Sequence, residues 1–163
     1  RLRVCGRARP ASTGGALLAH SGAGIVGAAT PAAIWPFLTE ADKHVEWQGT
    51  VAEIDPRPGG IYRVLVAGQH QSAGEYVEVV PMEKVVFTFG WEQDGNPFLP
   101  GSTTVSITLQ PEGVKTRVRL VHRGLPDDAV DDHGGGWAAY LDRLAVRAAG
   151  GDPGPDVMPG GPT

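Results

Sequence analysis

Two histidines in the second half of the chain have the spacing of inward-facing side chains that could act as an acid and a base. His122 shares strand parity with the apolar Val118 and Leu120, and His133 lies one helical turn before Trp137 on an apolar face. Because imidazole titrates near neutral pH, two such histidines in one pocket could orient a ligand or transfer protons. Each histidine alone is more typical of a hydrogen-bonded core residue.

The other polar candidates offer less chemistry. Glu75 stands beside a glycine at the start of a predicted strand, where a cross-strand ion pair with Arg63 is the simplest role. The acidic residues near His133 suit the first turns of a helix, so we assign no metal site. We assign no catalytic residue and keep only His122, His133 and Glu75 as candidates. The remaining histidines, which we expect in loops or at the surface, are His20, His44 and His70.

Aromatic side chains could recognise a ligand rather than transform it. An apolar cavity with a few polar groups is what a small hydrophobic molecule requires, although aromatic rings also fill the core of any domain. For Phe87 the core role is at least as well supported. We predict a ligand-binding lining made of aromatic and histidine side chains: Trp47, Tyr62, Phe87, Trp91, His122, His133 and Trp137.

The elements that position these residues follow from hydrophobic periodicity. Residues 24–29 predict a short strand, and Thr30 followed by Pro31 predicts the start of a helix that Pro36 should kink or stop early. A second short helix is predicted over residues 40–47. A period of two then predicts six strands, over residues 50–55, 61–66, 71–80, 85–92, 103–110 and 115–122. Apolar residues at spacings of three or four predict a long helix over residues 127–149.

This order of elements favours an α+β fold. A curved antiparallel sheet would pack around the long C-terminal helix and leave a cavity between the two. The triplet Gly134, Gly135 and Gly136 stands within that helix, where each glycine costs about 1 kcal/mol relative to alanine. We expect the triplet to mark a close approach of the helix to the sheet or to a ligand.

Composition limits the function classes. The chain has 163 residues, of which 41% are hydrophobic, so one domain with a real core is expected. A net charge of -4 disfavours nucleic acid as a partner, and a single cysteine excludes an internal disulfide. No apolar run approaches the roughly 18 residues of a membrane span. We expect a cytoplasmic protein.

Glycine and proline are concentrated towards the ends of the chain. Residues 150–163 alone contain five Gly and four Pro. We expect residues 1–21 to be a disordered or non-native extension, residues 22–149 to be the folded domain, and residues 150–163 to be a disordered Gly/Pro-rich tail.

Short motifs between Pro31 and Leu144 resemble those of a known superfamily. They include the helix of residues 31–39, the turn and strand of residues 57–63 (RPGGIYR), the strand of residues 86–91 (VFTFGW) and residues 133–137 of the last helix. In order and spacing they resemble the SRPBCC (START-like, helix-grip) superfamily, and within it the group named after the activator of heat-shock protein 90 ATPase. The resemblance implies a helix-grip fold like that of START domains and the birch-pollen allergen.

The resemblance leaves three functions open, since a fold does not determine a function. It implies first a protein that binds a small apolar or aromatic molecule in the cavity, without a cofactor. An enzyme of the polyketide cyclase or dehydratase type could use the same cavity, with a titratable group close to its substrate. The third function is a co-chaperone that stimulates a chaperone ATPase, and the sequence identifies no partner-binding surface for it.

Overall fold

Strands and helices follow one another along the chain in the order that the periodicity predicts. The computed structural model describes residues 19–93 and 98–156. In chain order the elements are β1 (Ala19–Gly27), α1 (Pro31–Thr39), α2 (Ala41–His44), β2 (Val51–Ile54), β3 (Ile61–Val66), β4 (His70–Val80), β5 (Lys84–Trp91), β6 (Thr103–Glu112), β7 (Lys115–Leu125), a 3₁₀ turn (Asp127–Ala129) and α3 (Val130–Ala148). Within the described residues, seven strands form one antiparallel sheet in the order β1-β7-β6-β5-β4-β3-β2. The α+β helix-grip prediction is confirmed.

Alternation along the strands places apolar side chains on the face that α3 covers. On β6, Val105, Ile107 and Leu109 are buried, and on β7, Val118 and Leu120 are buried. α3 adds its own apolar stripe, made of Trp137, Tyr140, Leu141 and Leu144. Together with the inner faces of β3 and β5, these side chains form the core of the domain. Of the described helices, none is both long and apolar enough to cross a membrane.

β4 passes β5 at Gly74 without room for a side chain. A Cβ atom added at Gly74 would clash with the carbonyl oxygen of Thr88, so only glycine fits there. The register between the two strands also shifts between Tyr76 and Glu78. A shift of this kind bends and twists a strand, which helps the sheet curve around α3.

β1 differs from its prediction. The sequence predicts a strand over residues 24–29, whereas the observed strand runs from Ala19 to Gly27. β1 pairs with β7 along its whole length. The extent of β1 is therefore set by its partner strand and not by the few apolar residues of β1. Residues 1–18 of the expected extension lie outside the described part of the chain, and residues 19–21 belong to β1.

α1 begins as the sequence predicts and ends later than expected. The Thr30 side chain accepts a hydrogen bond from the backbone N–H of Ala33 at 3.3 Å, and Pro31 is the first helical residue. Pro36 does not stop the helix early, because the helix continues to Thr39. A proline removes one backbone hydrogen bond, and packing of the apolar face of α1 against the core stabilises the turn around it.

The residues after α3 pack against the domain. Arg143 of α3 donates hydrogen bonds to the backbone carbonyls of Pro153, Gly154 and Pro155 at 3.1, 2.8 and 3.1 Å. We call residues 150–156 the C-terminal strap. The sequence predicts that a loose tail begins at residue 150, and the remainder of that tail lies outside the described residues.

Tyr62 carries a buried hydroxyl group that has no hydrogen-bond partner among the described residues. Its ring is 1% exposed and stacks on Phe87, with 4.0 Å between the ring centroids. Thr116 provides a contrast, because its buried hydroxyl donates a 2.6 Å hydrogen bond to the carbonyl of Ala29. A buried polar group without a partner destabilises the folded state, whereas a satisfied one does not.

We expect Tyr62→Phe to leave the free energy of unfolding unchanged or to raise it by up to about 1 kcal/mol, since only the unpartnered hydroxyl is removed. Thr116→Val should lower the free energy of unfolding by about 1–3 kcal/mol, because the carbonyl of Ala29 then loses its donor. Urea unfolding followed by circular dichroism measures both. A larger loss for Tyr62→Phe than for Thr116→Val would contradict this assignment.

Candidate functional site

The inner face of the sheet and α3 leave a cavity of about 90 Å³ between them. Its lining comes from α3, β3, β5 and the segment after α2, and consists of Gln48, Val66, Phe89, Trp91, His133, Gly136, Trp137 and Tyr140. Most of these side chains are apolar or aromatic. We call this space the helix cavity.

The walls of the helix cavity are aromatic rings in edge-to-face contact. The ring centroid of Phe89 lies 5.2 Å from that of Trp91 and 5.8 Å from that of Trp137. His133 extends the same wall, 6.0 Å from Trp91. Edge-to-face pairs have a preferred geometry and stabilise beyond the area they bury, so the walls hold a defined shape.

Gly136, the last glycine of the triplet, has a structural role at the helix cavity. It lies on the same helical face as His133 and Tyr140, and a Cβ atom built on it would meet no atom within 4 Å. The expected close approach between helix and sheet is therefore wrong at this position. The glycine instead leaves open space that any larger side chain would enter.

His122 lies behind this wall and is hydrogen-bonded at both ring nitrogens. Its Nδ1 accepts a hydrogen bond from the indole N–H of Trp137 at 3.0 Å. Because an indole N–H only donates, Nδ1 carries no proton, and the Nε2–H of His122 donates to Thr103 Oγ1 at 2.7 Å. The Thr103 hydroxyl donates in turn to the carbonyl of Phe89. Neither nitrogen of His122 is free to contact a ligand.

The environment of His122 also opposes proton transfer. Burial, together with the neighbouring imidazole of His133, lowers the pKa of His122 to about 3. The centroids of the two imidazole rings are 5.3 Å apart. A histidine that stays neutral well below physiological pH is a poor base. Of the two imidazoles, only that of His133 lines the helix cavity.

The structure places some predicted lining residues in the core instead of at the helix cavity. Trp47 is fully buried, and its indole N–H donates a 2.8 Å hydrogen bond to the carbonyl of Phe37. Tyr62 and Phe87 stack on each other deeper in the sheet. None of the three is part of the lining that the described residues form. The predicted residues that do border the helix cavity are Trp91, His133 and Trp137.

Glu75 lies on the outer face of the sheet, away from the helix cavity. It stands opposite the exposed Ile61. The expected ion pair with Arg63 is wrong, because Arg63 binds Glu92 at 2.7 Å instead. Ala73 lies opposite Arg63 on β4, and its side chain is too small to separate Arg63 from Glu92.

In the part of the chain described, no three side chains of His, Cys, Asp or Glu come close enough to hold a metal ion.

Gln48 is a lining residue that the sequence does not reveal. Its Oε1 makes a 2.9 Å hydrogen bond with Nε2 of His44. The predicted loop or surface position of His44 is wrong, since it lies in α2, is 3% exposed and has its ring 4.7 Å from that of Trp47. Burial lowers the pKa of His44 to about 4. This neutral histidine holds the Gln48 amide at the edge of the helix cavity.

The C-terminal strap reaches the edge of the helix cavity through Asp156. The ring of Tyr140 lines the helix cavity, and its hydroxyl donates a 2.6 Å hydrogen bond to the Asp156 carboxylate. Burial and the neighbouring carboxylate raise the pKa of Tyr140 well above its ordinary value, so the hydroxyl remains a donor. The sequence places Asp156 in a Gly/Pro-rich tail and holds no signal for this contact.

A family model covers the part of the chain that forms the helix cavity. The model described as Activator of Hsp90 ATPase homolog 1-like protein matches residues 28–149. The matched segment begins just before α1 and extends past the end of α3, so every lining residue lies within it. A comparison with proteins of curated function found no match.

Solved structures share the fold. An AHSA1-like protein from Rhizobium etli, studied by solution NMR, is 40% identical, with 91% of this chain and 94% of that chain covered and a TM-score of 0.66. Protein CV1439 from Chromobacterium violaceum is 27% identical, with 79% of this chain and 96% of that chain covered and a TM-score of 0.66. The Aha1 dimer from Colwellia psychrerythraea is 19% identical, with 78% and 94% covered and a TM-score of 0.67, and it shows the fold alone.

The two buried histidines predict a loss of stability in weak acid. The pKa values of His44 and His122 are about 4 and about 3 in the folded state. Both are below the ordinary histidine value, so the unfolded chain binds protons more tightly and stability rises with pH. We expect the free energy of unfolding to fall by about 2 kcal/mol per histidine between pH 7 and pH 5, before most carboxylates titrate.

Urea unfolding at pH 7, 6 and 5 measures this slope. His44→Gln and His122→Gln should each remove about half of it, because each variant retains one of the two histidines. A wild-type profile that is flat between pH 7 and pH 5 would contradict the burial of neutral histidines.

Proposed function

The chain belongs to the family of Activator of Hsp90 ATPase homolog 1-like proteins, within the SRPBCC superfamily, and from that premise we propose that its domain binds a small aromatic molecule in the helix cavity. The observation that carries this proposal is an aromatic-lined space over which α3 has a glycine, Gly136, in place of a side chain. A concave apolar site with a few polar groups is typical of small-molecule binding.

The size of the helix cavity limits the ligand. Its volume is about 90 Å³. An apolar cavity of about 150 Å³ accepts benzene, so even one aromatic ring requires the walls of the helix cavity to move apart. Pockets for larger ligands measure about 300–1,000 Å³. A polycyclic molecule would therefore require the rings that line the helix cavity to move.

Polar groups at the helix cavity restrict the orientation of such a ring. With its Oε1 bonded to His44, Gln48 offers its amide N–H groups as donors. His133 brings an imidazole to the same space. The indole N–H of Trp137 and the hydroxyl of Tyr140 are already bonded within the protein. A ligand that is mostly apolar and has one or two polar atoms matches the few polar groups that line the helix cavity.

A catalytic function has less support. His122 has both ring nitrogens occupied, and Glu75 lies on the outer face, so His133 is the remaining candidate among the three. General acid–base catalysis usually needs a second group that orients or complements the first. The co-chaperone alternative is supported by the family name and by the names of relatives, and no surface of this chain is assigned to it.

Binding of neutral single-ring aromatics tests the proposal. We expect benzamide, phenol and toluene to bind the wild-type protein with micromolar to millimolar dissociation constants, as suits ligands with so few atoms. Gly136→Leu fills the helix cavity and should weaken binding by about tenfold or more. Ligand-observed NMR, together with the shift of the Trp137 indole N–H resonance, measures the affinity.

Ala138→Leu is the matched control, because Ala138 is exposed on α3 and its replacement adds a similar volume outside the helix cavity. We expect wild-type affinity in this variant. Leucine in place of glycine favours a helix by about 1 kcal/mol, so lost binding in Gly136→Leu would not reflect unfolding. Equal affinity in Gly136→Leu and wild type, or no binding of any of these molecules by wild type, would overturn the proposal.

A further inference from the structure

Three hydrogen-bond donors from different parts of the fold converge on the carboxylate of Asp156. The backbone N–H groups of Gly49 and Ala67 donate to its Oδ2 at 2.9 and 2.8 Å. The hydroxyl of Tyr140 donates to its Oδ1 at 2.6 Å. Donors that converge in this way on both oxygens of a carboxylate are what a carboxylate-binding site consists of.

The two backbone donors are held by the sheet and not by Asp156. Gly49 is followed by Thr50, whose N–H donates to the carbonyl of Leu65 on β3 at 2.8 Å. Ala67 stands at the turn after β3, where the N–H of Gln69 donates to the carbonyl of Val66 at 3.1 Å. Both donor positions are therefore fixed before any carboxylate arrives.

These donors lie at the edge of the helix cavity. Gly49 directly follows the lining residue Gln48, and Ala67 directly follows the lining residue Val66. Tyr140 belongs to both sites, since its ring lines the helix cavity and its hydroxyl binds the carboxylate. A ring in the helix cavity and a carboxylate at these donors would therefore be neighbours.

The C-terminal strap, which carries Asp156 into this position, is attached to α3 through hydrogen bonds to its backbone carbonyls. Arg143 holds the strap through three backbone carbonyls and donates a further hydrogen bond to the carbonyl of Trp47 at 2.9 Å. Among the described residues, no carboxylate forms an ion pair with Arg143. If the strap moved away, the guanidinium of Arg143 would lose three neutral hydrogen-bond acceptors. Its positive charge would then favour an anion nearby.

From these observations we propose that Gly49, Ala67 and Tyr140 form a carboxylate subsite of the helix cavity, which Asp156 occupies when no ligand is bound. The ligand class that fits is a single-ring aromatic carboxylate. Its ring lies against the aromatic walls, and its carboxylate replaces that of Asp156. This inference rests on the proposed function, because the ring is the part that the helix cavity binds.

Competition by Asp156 makes the proposal measurable. A group tethered beside its site acts at a high effective concentration, about millimolar for short flexible linkers, and reduces the apparent affinity of a free competitor. Removal of the Asp156 carboxylate should therefore strengthen binding of an aromatic carboxylate. It should not affect a neutral ring of the same shape, which makes no use of the carboxylate subsite.

Benzoate and its neutral isostere benzamide are the two probes, with full-length Asp156→Ala as the variant. We expect benzoate to bind Asp156→Ala at least about tenfold more tightly than wild type, and benzamide to bind both proteins equally. Acetate should bind Asp156→Ala more weakly than benzoate, because it lacks the ring. Isothermal titration calorimetry at constant ionic strength measures all three.

Asp152→Ala is the matched control, because Asp152 is a carboxylate of the same strap that lies 3.5 Å from Arg147 and does not reach the subsite. It should bind benzoate as wild type does. Adding Tyr140→Phe to Asp156→Ala should remove most of the gain for benzoate, because the hydroxyl donor of the subsite is lost. Unchanged benzoate affinity in Asp156→Ala would mean that Asp156 only tethers the strap, and this would overturn the inference.

The outcomes separate this inference from the proposed function. If neither benzoate nor benzamide binds any of the proteins, the proposed function fails. If benzamide binds and Asp156→Ala gains nothing for benzoate, the carboxylate subsite fails alone. Should Asp156→Ala not fold, wild type provides a second measurement, because saturating benzoate must then shift the amide resonances of Gly49, Ala67 and Gly154. Absence of those shifts at saturation would also overturn the inference.

Discussion

A hydrogen bond from the indole of Trp137 to His122 crosses the interface between α3 and the sheet, and the shape of the helix cavity depends on it. The bond continues through Thr103 to the backbone carbonyl of Phe89. Apolar contacts are non-directional, whereas a buried hydrogen bond requires a defined distance and angle. This series of hydrogen bonds therefore sets the rotation of α3 above the sheet. It also couples the positions of Phe89 and Trp137, which form two walls of the helix cavity.

The part of the fold that the sequence predicts is the part that local periodicity controls. Alternation along β6 and β7 correctly places Leu120 and His122 on the inner face, since side-chain direction in a strand follows parity alone. The stripe of α3 follows from helical spacing in the same way. Periodicity could not assign a role to His122, because its partners come from β6 and α3 and are set by how those elements pack.

The parts that the sequence misses depend on contacts between distant positions. Arg63 binds Glu92 rather than Glu75, and this choice depends on which strand's side chains lie within its reach across the sheet. Gln48 lines the helix cavity, and Asp156 binds the lining residue Tyr140, both from segments without a clear pattern of their own. The hydrogen bond from Gly49 to Asp156 joins residues 107 positions apart, and no local pattern encodes such a contact. Long-range packing, rather than propensity, completes the site.

The position of β1 in the sheet has a consequence for folding kinetics. β1 pairs only with β7 among the described strands, so the first strand finds its partner after every other strand has been synthesised. Pairing over so long a loop raises the contact order and slows the completion of the sheet. The sequence of β1, AHSGAGIVG, is rich in glycine and poor in large apolar residues. Before β7 is available, such a strand has little tendency to pair with another polypeptide. This limits aggregation of the protein during its synthesis.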